Sequence, residues 1–250
     1  MELRTCLNHL LKTDAMKILD ISFDFETCAL CPTTAVMSVA AVAWNRYGEE
    51  SPFFVEDKEA PATDLLYKPS PTFCSNVDLR GMFLDGFTFD QKTADWWARR
   101  SEEAKKALIE GVDGDRECRL IADILRGMFK WALGLKGSFE ADELCLWSQG
   151  SDFDIAILRN ICYHYGIKIP IHHHCFRDHR TFFLEGARII CDVAGDDFDP
   201  KKAYSIVEDY KGAEAEVAHN PLYDCNRSIF STWQMMKHLR CLNVNNNVNV

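Results

Sequence analysis

The sequence predicts one α/β domain built on a mixed β-sheet. Strand signals come first along the chain, and strands then alternate with helical patterns. The 250 residues contain no internal repeat and no break in composition that would divide them into separate domains. A chain of this length can bury a full core without disulfides or a structural metal.

The first half of the chain carries the clearest strand signals. Ile18 to Phe25 alternates apolar and polar residues, and Val36 to Trp44 is rich in valine and alanine. Pro52 to Val55 follows a turn and is interpreted as a third strand. The short connections predict an antiparallel meander of these three strands. Residues 57–90 contain several prolines and are predicted to be irregular.

Helical spacing dominates the rest of the chain, with Thr93 and Ser101 as predicted N-caps. The predicted segments are helices at 93–97, 101–110 and 116–133, a buried strand at 144–148, a helix at 153–165, a loop at 167–186 that leaves a helix open, a strand or helix at 187–193, and a final helix at 223–239. Residues 16–240 are interpreted as the domain, between an extension at 1–15 and a low-complexity tail at 241–250.

Composition excludes several classes of protein. The net charge of −10 argues against coating nucleic acid or membrane by bulk charge. The 11 cysteines are scattered and odd in number, which favours a reducing, cytoplasmic location with free thiols. The apolar run from Thr34 to Trp44 is too short to cross a bilayer, so no membrane association is predicted. The glycine-rich dinucleotide, P-loop, zincin and nucleophile-elbow motifs are all missing from the sequence.

Two carboxylates close the first predicted strand. Asp24 and Glu26 are two residues apart, so both side chains point to the same face where the strand opens into a loop. Adjacent like charges at a core strand end are costly unless a cation lies between them, and hard divalent cations prefer oxygen ligands. Taken alone, the pair is better explained as a solvated strand end.

Two further segments carry acids at helix starts. Asp154 follows the short strand at 144–148 and precedes an apolar run, which favours a position facing the strand ends. Asn220 and Pro221 fit the N-cap and first position of the last helix, so that Asp224 lies in its first turn and His219 just outside it. Interaction with the helix dipole explains Asp224 alone, and a turn explains His219 alone.

Together these residues resemble the DEDD superfamily of 3′–5′ exonucleases. Asp24-Phe25-Glu26-Thr27 is similar to its D-x-E-T motif, Phe153-Asp154 to its second motif, and His219 with Asp224 to the His-x4-Asp spacing of one subgroup. The segments at 93–104 and 177–181 resemble an RNase T-like and phage DexA-like branch, although Gln149 stands where that branch more often has Asn. The resemblance implies a ribonuclease H-like mixed sheet with helices on both faces.

The resemblance also implies a mechanism. Asp24, Glu26, Asp154 and Asp224 would hold two Mg²⁺ (or Mn²⁺) ions, and His219 would act as general base for the attacking water. Cleavage would release nucleoside 5′-monophosphates from the 3′ ends of single-stranded DNA or RNA.

Substrate contacts and setting also come from the resemblance. Phe25, Thr27, Gln149 and Arg180 are the implied substrate-binding residues. Some relatives dimerise, so a homodimer is open, and a phage-encoded chain would act in the host cytoplasm. Two rivals stay open: a catalytically silent nucleic-acid-binding or scaffold domain of the same fold, and an endonuclease or integrase of that fold.

Other conspicuous residues have simpler explanations. Cys28 and Cys31 lack the second pair that a zinc finger needs. Residues 172–175 (His-His-His-Cys) are interpreted as a solvated loop, on the argument that three consecutive side chains cannot all converge on one ion.

Aromatic and basic side chains could form a nucleic-acid contact face, each with a structural alternative. Trp96 and Trp97 could stack on bases or pack a helix. The cations at positions 99, 100, 105 and 106 are interpreted by default as a solvated helix surface. Arg177 either faces substrate or pairs with Asp178.

Overall fold

The computed structural model describes residues 16–54, 70–102, 105, 118–150, 152–212 and 220–246, and a five-stranded sheet in the order β3-β2-β1-β4-β5 organises them. The strands are β1 (Ile18–Thr27), β2 (Val36–Trp44), β3 (Thr72–Asn76), β4 (Glu143–Ser148) and β5 (Phe176–Asp178). The helices described are α1 (Leu79–Leu84), α2 (Gln91–Ala98), α3 (Ile121–Ser138), α4 (Asp154–His164), α5 (His179–Ala194) and α6 (Pro221–Asn246).

The sheet is mixed, as predicted. β2 runs antiparallel to both β1 and β3, whereas β4 and β5 run parallel to β1. The parallel register aligns Ile18 with Glu143, so the amino ends of β1 and β4 share one edge of the sheet. The carboxyl ends of both strands therefore meet at the opposite edge.

Helices cover both faces of the sheet, which confirms that part of the prediction. Phe23 and Phe73 lie in one register row, and the rings of Phe73 and Trp131 of α3 are 5.7 Å apart. On the other face, the Ser22 hydroxyl is 2.9 Å from His179 Nε2 in α5, and the second ring nitrogen is 2.7 Å from Thr232 Oγ1 in α6. Alternation along β1 thus assigns its apolar side chains to α3 and its polar ones to α5 and α6.

The polar face of β1 also contains a buried ion pair. The Asp20 carboxylate is fully buried and accepts hydrogen bonds from Arg46 Nε at 2.6 Å and Trp147 Nε1 at 2.6 Å. A buried carboxylate of this kind is tolerated only because its oxygens are paired. Arg46 therefore compensates a charge that would otherwise be costly in the core.

The third strand lies elsewhere than predicted. Phe53 makes only an isolated bridge to Trp44, and Val55 lies outside the described residues. The strand that completes the meander is instead Thr72–Asn76, inside the region predicted to be irregular. The prediction followed the apolar side chains of Pro52 to Val55, whereas pairing with β2 decides which segment joins the sheet.

Helix boundaries also differ from the predictions. The side chain of Asp90, rather than that of Thr93, caps α2 by accepting from the Thr93 N–H at 2.7 Å. Residues 179–194, predicted partly as loop, form one continuous helix. The last helix extends to Asn246, and most of the helix predicted at 101–110 lies outside the described residues.

A glycine inside α5 lies against α6. A Cβ added at Gly186 would lie 2.7 Å from Met235 Cγ of α6, so the residue permits close contact between two helices.

In the part of the chain that the structure describes, no helix combines the length and apolar character that a membrane crossing requires.

Candidate active site

The carboxyl end of β1 carries the first two predicted acids. Asp24 and Glu26 occupy alternate positions on the strand, on the face covered by α5 and α6. The register with β2 shifts between Glu26 and Thr27, where the strand leaves the sheet. Glu26 is buried, and Asp24 is partly buried. Both therefore project from an ordered strand end rather than into open solvent.

Asp154 approaches the same strand end from α4. It is the first residue of that helix, only 2% exposed, and its Oδ1 accepts a hydrogen bond from the Phe25 N–H at 3.3 Å. This contact ties the helix start to the backbone between the two strand carboxylates.

Asp224 enters from the first turn of α6. Asn220 caps this helix as predicted, since its Oδ1 accepts from the Leu222 N–H at 2.9 Å. Ligand-type oxygens of Asp24, Glu26 and Asp224 all lie within 4.8 Å of one another. Arg227, one turn later, has Nη2 at 3.6 Å from Asp224 Oδ1. Three separate elements thus bring four carboxylates to one place.

The electrostatics of this cluster are unfavourable without a cation. Burial and then the Asp154 carboxylate hold the pKa of Asp24 well above its usual range. Burial, followed by the charges of Asp224 and Asp154, raises the pKa of Glu26 to about 9. Burial raises the pKa of Asp154 to about 7, although hydrogen bonds from the backbone oppose this. The unliganded cluster therefore holds protons at neutral pH.

The donor set fits a hard divalent cation. All four side chains offer carboxylate oxygens, the ligand type that Mg²⁺ and Mn²⁺ prefer. Glu26 Oε1 is buried and finds no hydrogen-bond partner among the described residues. A buried acceptor left unpaired is costly unless it binds something, and a cation would supply the missing partner.

The predicted general base, His219, lies outside the described residues, which resume at Asn220. Its neighbour in the motif, Asp224, is described.

A cavity of about 1100 Å³ opens over the carboxylates. Its lining includes all four acids together with Thr27, Trp96, Trp97, Gln149, Arg99, Arg180 and Arg227. Trp97 Nε1 donates to the Thr27 carbonyl at 3.1 Å, which fixes the indole beside the end of β1. Acids at the bottom with arginines and indoles around them suit a phosphate-bearing ligand with planar bases.

Gln149 and Arg180 lie together on one side of this cavity. The Gln149 side-chain oxygen accepts from the Ser228 hydroxyl at 3.2 Å, and an Arg180 guanidinium N–H donates to the Gln149 carbonyl at 3.4 Å. Asp178 accepts from the Arg180 N–H at 2.9 Å and from the Gly150 N–H at 3.1 Å. The guanidinium is thereby held at the edge of the carboxylate cluster.

The other two predicted substrate contacts, Phe25 and Thr27, are both buried. The Phe25 ring is 3% exposed and packs edge-to-face on Phe23 at 5.3 Å, so its clear contact with the site is the backbone N–H that binds Asp154. Thr27 is also buried, and its hydroxyl donates to the Ala29 carbonyl at 3.1 Å.

Sequence reasoning did not single out Arg227. It lies one helical turn after Asp224 and faces the same cavity. The i, i+3 spacing from a predicted ligand was the signal that could have found it.

Two of the remaining sequence features have structural roles. Arg177 donates to the carbonyls of His174 and Phe176. Cys31 Sγ lies 3.5 Å from the hydroxyls of both Thr33 and Thr88.

Comparison with known proteins places these observations in context. The model of the Rv2179c-like 3′–5′ exoribonuclease domain family matches residues 20–229. The nuclease domain of 3′hExo, a DEDDh family member bound to rAMP, superimposes with a TM-score of 0.50 and 13% identity over 90% of this chain and 95% of that one. This similarity confirms the ribonuclease H-like fold.

Cell-death related nuclease 4 (CRN-4) gives a TM-score of 0.48 and 12% identity over 88% of this chain and 64% of its own length. A comparison with curated protein sequences found no match.

Proposed function

Because the chain belongs to the Rv2179c-like 3′–5′ exoribonuclease domain family and is therefore a hydrolytic 3′–5′ exonuclease, we propose that it shortens single-stranded RNA from the 3′ end and releases nucleoside 5′-monophosphates. The observation that carries this proposal is the convergence of Asp24, Glu26, Asp154 and Asp224 beneath one open cavity. The family assignment leaves the catalytically silent alternative without support.

Nucleases of the DEDDh family use divalent metal ions, and the four carboxylates are the proposed ligands for two Mg²⁺ (or Mn²⁺) ions. When bound, such ions acidify the attacking water and stabilise the leaving 3′ oxygen. Glu26 Oε1, unpaired among the described residues, supports the assignment of Glu26 as a ligand.

The chain's own residues would orient the strand end. Arg180 and Arg227 border the carboxylates, and their guanidinium groups suit the non-bridging oxygens of the terminal phosphate. Trp96 and Trp97 line the same cavity and are proposed to contact the terminal bases. His219 is proposed to accept the proton of the attacking water, as the motif spacing implies.

RNA is proposed over DNA on the description of the family, and the rAMP bound by 3′hExo is consistent with a ribonucleotide product. To distinguish RNA from DNA, the site would need a contact to the 2′-hydroxyl of the ribose. The Gln149 amide and the Ser228 hydroxyl, which lie together on the cavity wall, are the proposed donors and acceptors for it. The homodimer stays a prediction.

The test is degradation of matched 5′-labelled RNA and DNA single strands in Mg²⁺ by the wild type and by Asp24→Asn. We expect a ladder that shortens from the 3′ end, faster on RNA, and at least about 100-fold slower cleavage by the variant. Asp123→Asn, an exposed acid of α3, is the matched control and should cleave like the wild type.

Several outcomes would contradict the proposal. Full activity of Asp24→Asn, or activity that persists in EDTA, would remove the carboxylate site from the mechanism. Cleavage of a strand with a blocked 3′ end would indicate an endonuclease instead. Equal or faster cleavage of DNA would refute the substrate assignment alone.

A further inference from the structure

Three consecutive histidines form a cluster at the edge of the sheet opposite the carboxylates. Ligand-type nitrogens of His172, His173 and His174 all lie within 4.8 Å of one another. The His172 ring is central, with its centroid 4.2 Å from that of His173 and 4.1 Å from that of His174. The sequence argument that three consecutive side chains cannot converge is therefore wrong for this segment.

The local backbone explains the convergence. His172 has extended dihedral angles, and His173–Cys175 then form one turn of 3-10 helix. The strict alternation of side chains along a regular strand therefore does not apply to these three residues. Arg177 stabilises the turn by donating to the His174 and Phe176 carbonyls.

A carboxylate from β4 approaches one member of this cluster. His174 Nε2 lies 3.3 Å from Glu143 Oε1. Two ligands bound about 2.0–2.1 Å from one tetrahedral ion are themselves separated by about 3.3 Å. This pair is thus already at the spacing that a shared tetrahedral ion requires.

Two buried thiols hold the Glu143 carboxylate in place. Cys175 Sγ donates to Oε1 at 3.0 Å, and Cys145 Sγ lies 3.8 Å from Oε2. Both cysteines are buried, whereas the three imidazoles are exposed. Hydrogen bonds of this kind orient a metal-binding carboxylate and strengthen its binding.

We propose that His172, His173, His174 and Glu143 form a second metal site, which binds Zn²⁺ or a similar borderline transition-metal ion. Three imidazoles with one carboxylate suit such an ion, whereas Mg²⁺ prefers oxygen ligands alone. Four protein ligands are typical of a closed, structural zinc site. Its role is to fasten the turn before β5 to the amino end of β4.

The site is separate from the proposed active site. Glu143 is paired in register with Ile18, and Asp24 lies six residues further along β1. At about 3.3 Å per residue, that spacing corresponds to roughly 20 Å. The zinc proposal does not depend on the proposed function, because it uses none of the four carboxylates of the cavity.

The test is Zn²⁺ binding to the full chain after removal of metal, in excess Mg²⁺ that occupies the carboxylate cluster. Competition with a chromophoric chelator should give one equivalent of Zn²⁺ bound with a dissociation constant below about 1 μM. The double variant His173→Asn/His174→Asn should bind at least about 100-fold more weakly. His238→Asn, an exposed histidine of α6, should bind like the wild type.

Cobalt tests the ligand set independently. The Co²⁺ complex should show the visible absorption of a tetrahedral site without the near-ultraviolet band of a cobalt–thiolate bond. A cobalt–thiolate band that is present in the wild type and absent in Cys175→Ser would overturn the assignment, because it would identify a thiolate as a ligand. Equal Zn²⁺ affinity of the wild type and the double variant, or binding only at tens of micromolar, would overturn the site itself.

Discussion

Replacing Glu26 by glutamine should inactivate the enzyme and yet stabilise the metal-free fold. Burial and neighbouring carboxylates raise the pKa of Glu26 to about 9, so the folded protein keeps this group protonated at pH 7, whereas the unfolded chain ionises it near 4.5. Taking up that proton on folding at pH 7 costs about 3 kcal/mol. Glutamine has the same shape and no charge, so the variant avoids this cost.

The sign of the pH dependence follows from the raised pKa. The folded state binds more protons than the unfolded state between about pH 4.5 and about pH 9, so the wild type loses stability as the pH rises through that window. The advantage of Glu26→Gln should therefore be about 3 kcal/mol at pH 7 and only about 1 kcal/mol at pH 5. Mg²⁺ should narrow it at pH 7, because a bound ligand stabilises the wild type.

Urea unfolding in EDTA and in Mg²⁺ measures these differences, and cleavage of labelled RNA measures activity, which should fall at least about 100-fold. Glu185→Gln, an exposed glutamate of α5, is the matched control and should change neither quantity. The reasoning is refuted if metal-free Glu26→Gln is no more stable than the wild type at pH 7, or if its advantage is the same at pH 5.

Three further changes test the packing around the sheet. Burial lowers the pKa of His179 to about 3, so the folded state excludes a proton that the unfolded state binds at acidic pH. The free energy of unfolding should therefore fall by about 2 kcal/mol from pH 7 to pH 5. His179→Gln should remove this part of the pH dependence. Arg46→Met removes the guanidinium that pairs with the buried Asp20 carboxylate. It should therefore lower the free energy of unfolding in urea by about 3 kcal/mol. Gly186→Ala should destabilise by about 1–3 kcal/mol because its methyl group meets Met235, whereas Gly134→Ala, in open space on α3, should stabilise by up to about 1 kcal/mol.

Each of these has an outcome that contradicts it. An unchanged pH profile in His179→Gln would mean that another group produces the acid sensitivity. If Arg46→Met has the stability of the wild type, the hydrogen bond from Trp147 Nε1 is enough to stabilise the buried Asp20 carboxylate. Equal effects of the two glycine substitutions would mean that helix propensity, not contact between α5 and α6, sets the response.

Local sequence rules predicted how the strand and helix acids are oriented, whereas the third strand depends on long-range pairing. Alternation along a strand was enough to orient Asp24 and Glu26 together, and helix-capping residues located Asp224, because these rules depend on neighbouring residues only. The strand Thr72–Asn76 was missed because its place depends on pairing with β2, a long-range contact that its own composition does not signal. The convergence of all four acids was inferred from the family resemblance, not from spacing alone.

Two errors have local physical causes. Residues 179–194 were divided between a loop and a strand or helix, whereas the structure has one helix in which Gly186 permits the close approach of Met235. The histidines at 172–174 were interpreted as a solvated loop because three consecutive side chains were not expected to converge on one ion, whereas their backbone changes from extended to 3-10 helix.

The distribution of the carboxylates along the chain bears on how the protein is made. Asp24 and Glu26 leave the ribosome early, but Asp224 is synthesised only after β4 and β5, and it reaches the cluster when α6 packs on β1 and β2. Because domains emerge from the amino end first, the proposed ribonuclease site is incomplete for most of translation. A nascent chain therefore lacks Asp224 at this strand end until α6 has been synthesised and has packed on the sheet.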